Sequence, residues 1–308
     1  MLVFRGFSRS FPQATALTIG NFDGVHRGHR ALLERLRELA EREGLSPAVL
    51  TFEPHPREFF SPQAAPARLS TLREKLEMLA EEGVALACVA RFNAAFAALS
   101  ASEFIERVLV GALKTRRLII GDDFCFGAQR EGSFATLLEA GERHGFGVER
   151  MESVTVDGER ASSSAVRAAL AAGEMQHAAR LLGRPYAIDG RVVHGDQLGR
   201  SLGFATANIR IRHDNPPLSG VFAVEAHGLN DGPRRGVANI GLRPSANKLT
   251  RPLLEVHFFD FYADIYGAHL NVRFEHKLRG EKHFPSFTAL QEQIARDVES
   301  ARQYFNIE

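Results

Sequence analysis

His26-Arg27-Gly28-His29 sets two imidazoles three residues apart at an expected strand-to-helix turn. Ala16-Leu17-Thr18-Ile19 before it reads as a short buried strand, and Gly20-Asn21-Phe22-Asp23-Gly24 as a tight turn. Leu32, Leu33, Leu36 and Leu39 then recur at helical spacing on one face. Both imidazoles therefore fall at a helix N-terminus, where free backbone N–H groups and the helix dipole favour an anion. Gly28 removes the side chain between them, so a phosphate could approach the backbone closely. Without a ligand, the same pair reads as a capped surface helix or half of a metal site. Zinc needs further ligands, and the two cysteines, Cys88 and Cys125, lie far apart within apolar runs.

Three further segments offer chemistry in the first half. Thr51-Phe52-Glu53-Pro54-His55-Pro56 ends an expected strand in a loop stiffened by its prolines, with His55 either a site residue or a satisfied loop histidine. Gly121-Asp122-Asp123-Phe124-Cys125-Phe126-Gly127 carries paired carboxylates. These suit acid–base work or Mg²⁺, and equally the start of a turn. Ser162-Ser163-Ser164-Ala165-Val166-Arg167 reads as serines capping a helix. Arg167 is expected in its first turn, where a cation opposes the dipole unless phosphate oxygens neutralise it.

In the second half, glycines at 195, 199 and 203 precede Thr206-Ala207-Asn208. The glycine spacing is neither a P-loop nor a dinucleotide fingerprint, and such glycines also make turns and bulges. Thr206 and Asn208, however, put a hydroxyl and an amide oxygen on one strand face, both hard ligands for a Mg²⁺-nucleotide. Glu255 sits in the apolar run Leu253–Phe259. Alternation groups it with Leu253 and His257, which does not decide between a solvent-facing and a working carboxylate.

The elements that must position these residues change character along the chain. Expected strands at Ala16–Ile19, Ala48–Phe52, Val84–Val89, Leu118–Ile120 and Val148–Met151 alternate with helices at His29–Arg42, Thr71–Glu82, Ala101–Val110 and Phe134–His144. That alternation predicts an α/β, Rossmann-like parallel sheet whose ligands bind beyond the carboxyl ends of the strands. Helices follow at Ser164–Ala172 and Met175–Leu182. After Gly183-Arg184-Pro185 short β runs dominate: Gly190–Val193, Phe204–Ile211, Val221–Ala226, Gly236–Ile240, Leu253–Phe259 and Leu270–Phe274. They predict an antiparallel sandwich or closed barrel, with a helix over Thr288–Phe305. Two domains, 1–183 and 184–308, are expected.

Lys+Arg 38 against Asp+Glu 37 gives a net charge of +1, which supplies no global drive toward nucleic acid or an anionic membrane. Arg234-Arg235 is the densest basic pair, too little for the basic stripe of a strand-binding barrel. Two cysteines make no disulfide framework, and Met1–Phe11 lacks a signal-like apolar core, so a cytoplasmic protein is expected.

Gly20–His29, with its Phe22-Asp23-Gly24-Val25 core, resembles the flavin branch of the His-x-Gly-His nucleotidylyltransferases. Thr51–Pro56, Gly121–Gly127 and Ser162–Arg167 continue that likeness over nearly all of residues 15–183. Residues 184–305 resemble riboflavin kinase, through Gly195–Asn208, Gly220-Val221-Phe222, Ala238–Ser245, Leu254–His257, Asp264–Gly267, Arg279–Phe284 and Gln293–Asp297. Taken whole, the chain resembles the bifunctional bacterial riboflavin kinase/FAD synthetase family.

The resemblance implies a nucleotidylyltransferase domain followed by a small antiparallel β-barrel with a terminal helix. It implies ATP-dependent phosphorylation of riboflavin to FMN, then adenylylation of FMN to FAD with release of pyrophosphate. By it, His26 and His29 hold phosphates, while Gly20, Asn21, Phe22, Asp23 and Asp123 bind nucleotide or flavin. Ser163, Ser164 and Arg167 hold the pyrophosphate region. Gly195, Gly199, Gly203, Arg279 and Glu281 bind ATP or flavin in the kinase, Thr206 and Asn208 hold Mg²⁺, and Glu255 takes the proton from the riboflavin hydroxyl. ATP, Mg²⁺ and flavins are the implied small molecules, with no nucleic-acid or membrane partner. Cys125 stands where relatives often carry a basic residue, Ala205 where they carry proline, and Ser245 where they carry threonine. A nucleotidylyltransferase of another substrate, a nucleic-acid-binding module and a flavin carrier are the competing readings.

Overall fold

Short apolar runs between amphipathic helices build a parallel sheet in the first of two units, residues 1–66 and 72–161. The computed structural model describes residues 1–194, 204–213, 215–244 and 250–307. The strands β1 (Leu2–Arg5), β2 (Thr15–Ile19), β3 (Ser46–Glu53), β4 (Leu86–Arg91), β5 (Thr115–Gly121) and β6 (Gly147–Met151) run in the order β1-β4-β3-β2-β5-β6, all parallel. The helices are α1 (Arg27–Glu43), α2 (Pro56–Phe60), α3 (Leu72–Glu81), α4 (Ala94–Ala97), α5 (Ala101–Glu103) and α6 (Phe134–His144). A ribbon of β7 (Thr155–Val156) and β8 (Glu159–Arg160) completes the unit. Every residue of β2 is buried, as expected of a central parallel strand covered on both faces. Strand order reverses at β2, with β3 and β4 to one side and β5 and β6 to the other. The loops after β2 and β5 therefore flank the crevice where such sheets bind ligands.

Helix α1 forms because its leucine stripe can be buried. Leu32, Leu33, Leu36, Leu39 and Ala40 face the core, packed in one cluster with Val49, Leu79 and Ile119. His26 caps its start, and Gly44 ends it in the left-handed conformation at φ 65°. Leu36→Ala would cost about 2–5 kcal/mol, the usual penalty for emptying a core leucine site.

The second unit, residues 67–71 and 162–308, opens with α7 (Ser163–Ala172) and α8 (Met175–Leu182). Its strands are β9 (Tyr186–Val193), β10 (Ala207–Arg210), β11 (Gly220–His227), β12 (Arg234–Pro244), β13 (Thr250–Phe258) and β14 (His269–Arg279). They close an antiparallel barrel in the order β10-β13-β12-β11-β14-β9, with β9 pairing back to β10. Closure leaves no open sheet edge. Phe222 and Phe274 cross edge-to-face in its interior, their ring centroids 5.3 Å apart. The last helix, α9 (Phe287–Phe305), lays Ala301 against Val221, Ala223, Val237 and Phe259.

Several element boundaries differ from the sequence expectation. The run Phe204–Ile211 is strand only over Ala207–Arg210, and β9 starts at Tyr186, four residues before Gly190. Contacts divide the chain between Ala161 and Ser162, so α7 and α8 pack with the barrel, α8 against β9 and β14. Among the described residues no helix is long and apolar enough to cross a membrane.

Candidate active sites

In the first unit the turn Gly20–His29 leaves β2 at the point where strand order reverses. Phe22 and Val25 hold φ of 48° and 39°, a conformation that a β-branched residue adopts only when its surroundings impose it. Both side chains are buried with Leu32, Leu33 and Leu36, and that packing fixes the turn. Phe22 therefore serves the site from within, its ring 4.9 Å from that of His29. A side chain at Gly20 would meet the Phe22 ring at 3.1 Å.

His26 is the N-cap of α1: its Nδ1 accepts a long hydrogen bond, 3.4 Å, from the His29 N–H. The two imidazoles stack with centroids 3.7 Å apart. A Cβ on Gly28 would lie 3.1 Å from both the His26 ring and the Ala161 carbonyl oxygen. A side chain at Gly28 would thus crowd both the His26 ring and the Ala161 carbonyl. No acidic residue occupies the first turn of α1, so nothing on the helix competes with an anion at its N-terminus.

Among the described residues of this unit, the enclosed side-chain polar atoms lacking a hydrogen-bond partner are Thr18 Oγ1, Asn21 Oδ1 and His29 Nδ1. Thr18 lies in β2, Asn21 in the turn that follows it and His29 in the first turn of α1. Burying such atoms unpaired is costly, and a polar ligand is the natural partner for a cluster of them. His29 is held well below the ordinary histidine range, first by desolvation, then by His26 and by Lys75. Its ring is therefore a neutral donor or acceptor at neutral pH.

The other first-unit residues are more dispersed. Asp23 is buried. Asp122 and Asp123 share Arg160, whose Nη2 lies 3.2 Å and 3.1 Å from their carboxylates. Ser153 donates to Asp122 at 2.8 Å and, with Arg160, keeps that carboxyl below its usual range. His55 caps α2, its Nδ1 accepting from the Arg57 N–H at 3.1 Å. Cys125 is exposed, whereas burial pushes the Cys88 thiol up to about 12. Among the described residues no three His, Cys, Asp or Glu side chains gather as a metal site.

Two features carry no motif signal. Lys75 of α3 is buried and donates to Thr51 Oγ1 at 3.5 Å. Phe52, Phe59, Phe60, Phe92 and Phe96 form an edge-to-face cluster beyond β3 and β4, with Phe60 65% exposed. Such a ledge suits a flat aromatic ring.

In the second unit Ser162, not Ser163 or Ser164, caps α7, accepting from the Ala165 N–H at 3.1 Å. Helix α7 begins at Ser163, which puts Arg167 fifth in it, beyond the first turn where it was expected. Its Nε donates to the Ala67 carbonyl.

On the barrel, Asn208 of β10 stands opposite Glu255 of β13, and Glu255 opposite Asn239 of β12. Leu254 and Val256 on either side of Glu255 are fully enclosed, so the glutamate lies on the outer face with Asn208 and Asn239. Thr206 precedes the strand by one residue. His257 anchors this entry, its ring 2.9 Å from the Ala205 carbonyl oxygen and edge-on to Phe204.

Arg279 is gripped by Asp297 of α9: Nε and Nη2 lie 2.9–3.1 Å from its oxygens, and Gln293 adds a third donor at 2.9 Å. The Glu281 carboxylate closes over Gly241, leaving no room there for a Cβ. Gly195, Gly199, Gly203 and Ser245 lie outside the described residues.

Residues 8–165 match the family model for FAD synthetase, and residues 182–305 that for riboflavin kinase. The bifunctional riboflavin kinase/FMN adenylyltransferase of Escherichia coli K12 is 48% identical across all of this chain and 99% of its own length. The protein of the same name from Haemophilus influenzae is 50% identical over 96% of this chain and 95% of itself. A crystal structure described as a macrolide-efflux protein of Streptococcus pneumoniae superposes with a TM-score of 0.83 at 26% identity. It covers 98% of this chain and 99% of that one.

Proposed function

The chain belongs to the bifunctional riboflavin kinase/FMN adenylyltransferase family, and from that premise we propose how its residues divide the work. It phosphorylates riboflavin to FMN with ATP and adenylylates FMN to FAD. The sheet unit is assigned the adenylyl transfer and the barrel the phosphorylation. The observation that carries the first assignment is that Thr18 Oγ1, Asn21 Oδ1 and His29 Nδ1, from β2 to the start of α1, are buried without partners.

In adenylyl transfer an FMN phosphate oxygen attacks the α-phosphorus of ATP in line, and pyrophosphate leaves. No covalent enzyme intermediate is needed, so catalysis rests on positioning and charge stabilisation. The backbone N–H groups at the start of α1, with His26 and His29, hold the phosphates. Asn21 Oδ1 meets a donor of the nucleotide or flavin, and Gly20, Phe22 and Asp23 fix the turn. Asp123 is the remaining candidate contact of this unit. The flavin ring lies on the Phe59–Phe60–Phe92 ledge.

In phosphorylation Glu255 accepts the proton as the riboflavin 5′-hydroxyl oxygen attacks the γ-phosphorus and ADP leaves. Thr206 and Asn208 offer the hard, neutral oxygens that suit Mg²⁺ shared with substrate phosphates, and the register sets Asn208 beside the base. Mg²⁺ bound there would neutralise phosphate charge as it develops. Arg279, held by Asp297, and Glu281 border this face, and Gly195, Gly199 and Gly203 are assigned to ATP by the family likeness alone.

Two variants test the division. His29→Ala should lower FAD formation from FMN by roughly a hundred- to a thousand-fold, the usual loss on removing one transition-state charge contact. Riboflavin phosphorylation should stay near normal. Glu255→Gln should do the reverse, lowering kinase turnover by about 10² to 10⁴-fold. Equal losses in both activities from either variant would refute the assignment.

A further inference from the structure

Lys75 is 2% exposed, although α3 offers an exposed face on which Arg73 and Glu77 pair at 2.8 Å. An ammonium enclosed in protein gives up hydration, and it is retained where its charge has a use. Its Nζ donates to Thr51 Oγ1 at 3.5 Å, and Thr51 Oγ1 donates to the Asn21 carbonyl oxygen at 3.3 Å. A path of two hydrogen bonds thus runs from α3, through the fully buried Thr51 of β3, into the turn that leads to His26 and His29. A fixed cation in a low-dielectric setting acts on nearby anions more strongly than one in water.

We propose that Lys75 is a positioning residue for adenylyl transfer, fixing the Gly20–His29 turn through Thr51 and adding positive charge behind the phosphates. This rests on the reading of that turn as the phosphate site. The ammonium also acts on His29, whose protonation it opposes together with desolvation and His26. The buried carboxylates of these same elements are Asp23 in the turn and Glu74 beside Lys75.

The test compares full-length Lys75→Met, Lys75→Arg and Thr51→Val with the parent, supplying FMN, ATP and Mg²⁺. Riboflavin phosphorylation by the same preparations reports that the barrel is folded, and a parent-like far-UV circular dichroism spectrum and thermal transition report that the sheet unit is. Lys75→Met should lower the adenylyl-transfer kcat at least tenfold with kinase activity unchanged, and Lys75→Arg should restore most of it. In an imidazole NMR titration, with His29 assigned by its loss in His29→Ala, that resonance should titrate at higher pH in Lys75→Met than in the parent. It should stay low in Lys75→Arg.

Unchanged kcat in Lys75→Met, or an unmoved His29 titration, would overturn the proposal. So would equal losses in the Met and Arg variants. Should Lys75→Met fail to fold, Thr51→Val decides the matter, because it breaks the path and keeps the charge. Adenylyl transfer should then fall severalfold, and a normal rate would overturn the proposal. Full adenylyl transfer by His29→Ala would instead show that the phosphate site itself was misread.

Discussion

Asn208 and Glu255 face each other directly across the β10–β13 pair, on the outer surface of the barrel. Opposed residues of antiparallel strands have Cβ atoms about 4.5–5.5 Å apart, so one bound hydroxyl–phosphate pair lies within reach of both. That pairing gives physical content to a role that alternation along β13 alone left undecided.

Because both residues serve one reacting group, their losses should not multiply. Asn208→Ala and Glu255→Gln should each depress riboflavin phosphorylation, and the double variant should fall clearly short of the product of the two single losses. Strict multiplication of the two effects, measured as kcat, would place the residues in separate sites.

The depressed pKa of His29 sets a pH dependence of stability. Folding lowers this pKa below the ordinary histidine value of about 6.5, so the unfolded chain binds the proton more readily than the folded one. Stability is therefore lost as pH falls from about 6.5 toward the folded pKa. His29→Phe, which cannot titrate, should lose less Tm than the parent between pH 7.5 and 5.5. Equal losses would mean that His29 has the same proton affinity in both states.

Arg279 and Asp297 bind α9 to the end of β14, with Asp297 almost fully buried. Asp297→Ala should destabilise the barrel by about 1.5–3 kcal/mol, the usual worth of hydrogen bonds to charged groups, and lower kinase activity as the Arg279–Glu281 segment loosens. Thermal unfolding and riboflavin phosphorylation measure the two effects. An unchanged Tm would mean that the pair adds nothing net.

Much of this was legible because burial imposes strict periods. Leu32, Leu33, Leu36 and Leu39 reveal α1, and the shift to short β runs after Gly183 reveals the barrel. The helix expected over Ala101–Val110 differs in kind: Phe104–Ala112 is a π-helix whose buried residues Phe104, Val108 and Ala112 repeat every fourth position. That spacing cannot be told from an ordinary apolar face in so short a run. Lys75 was missed because a lysine between Glu74 and Leu76 reads as a solvated position, and only tertiary packing encloses it. The Phe59–Phe60–Phe92 ledge gathers residues from α2 and from the segment after β4, which no local pattern reports.

The helices before the barrel bear on where the units separate. Met175, Ala178, Leu181 and Leu182 of α8 are buried, and α8 packs on β9 and β14. A fragment 162–308 should fold and phosphorylate riboflavin without making FAD. A fragment 184–308, stripped of that cover, should show a lower Tm. Equal stability of the two would mean that α8 contributes nothing to the barrel.

The most direct test of the account is a time course of the intact protein with riboflavin, ATP and Mg²⁺, the flavins being separated at each point. FMN should appear first and FAD after it, with ADP and pyrophosphate released in step. Omitting riboflavin and supplying FMN should still give FAD. If neither FMN nor FAD forms from riboflavin, the account is contradicted at its centre.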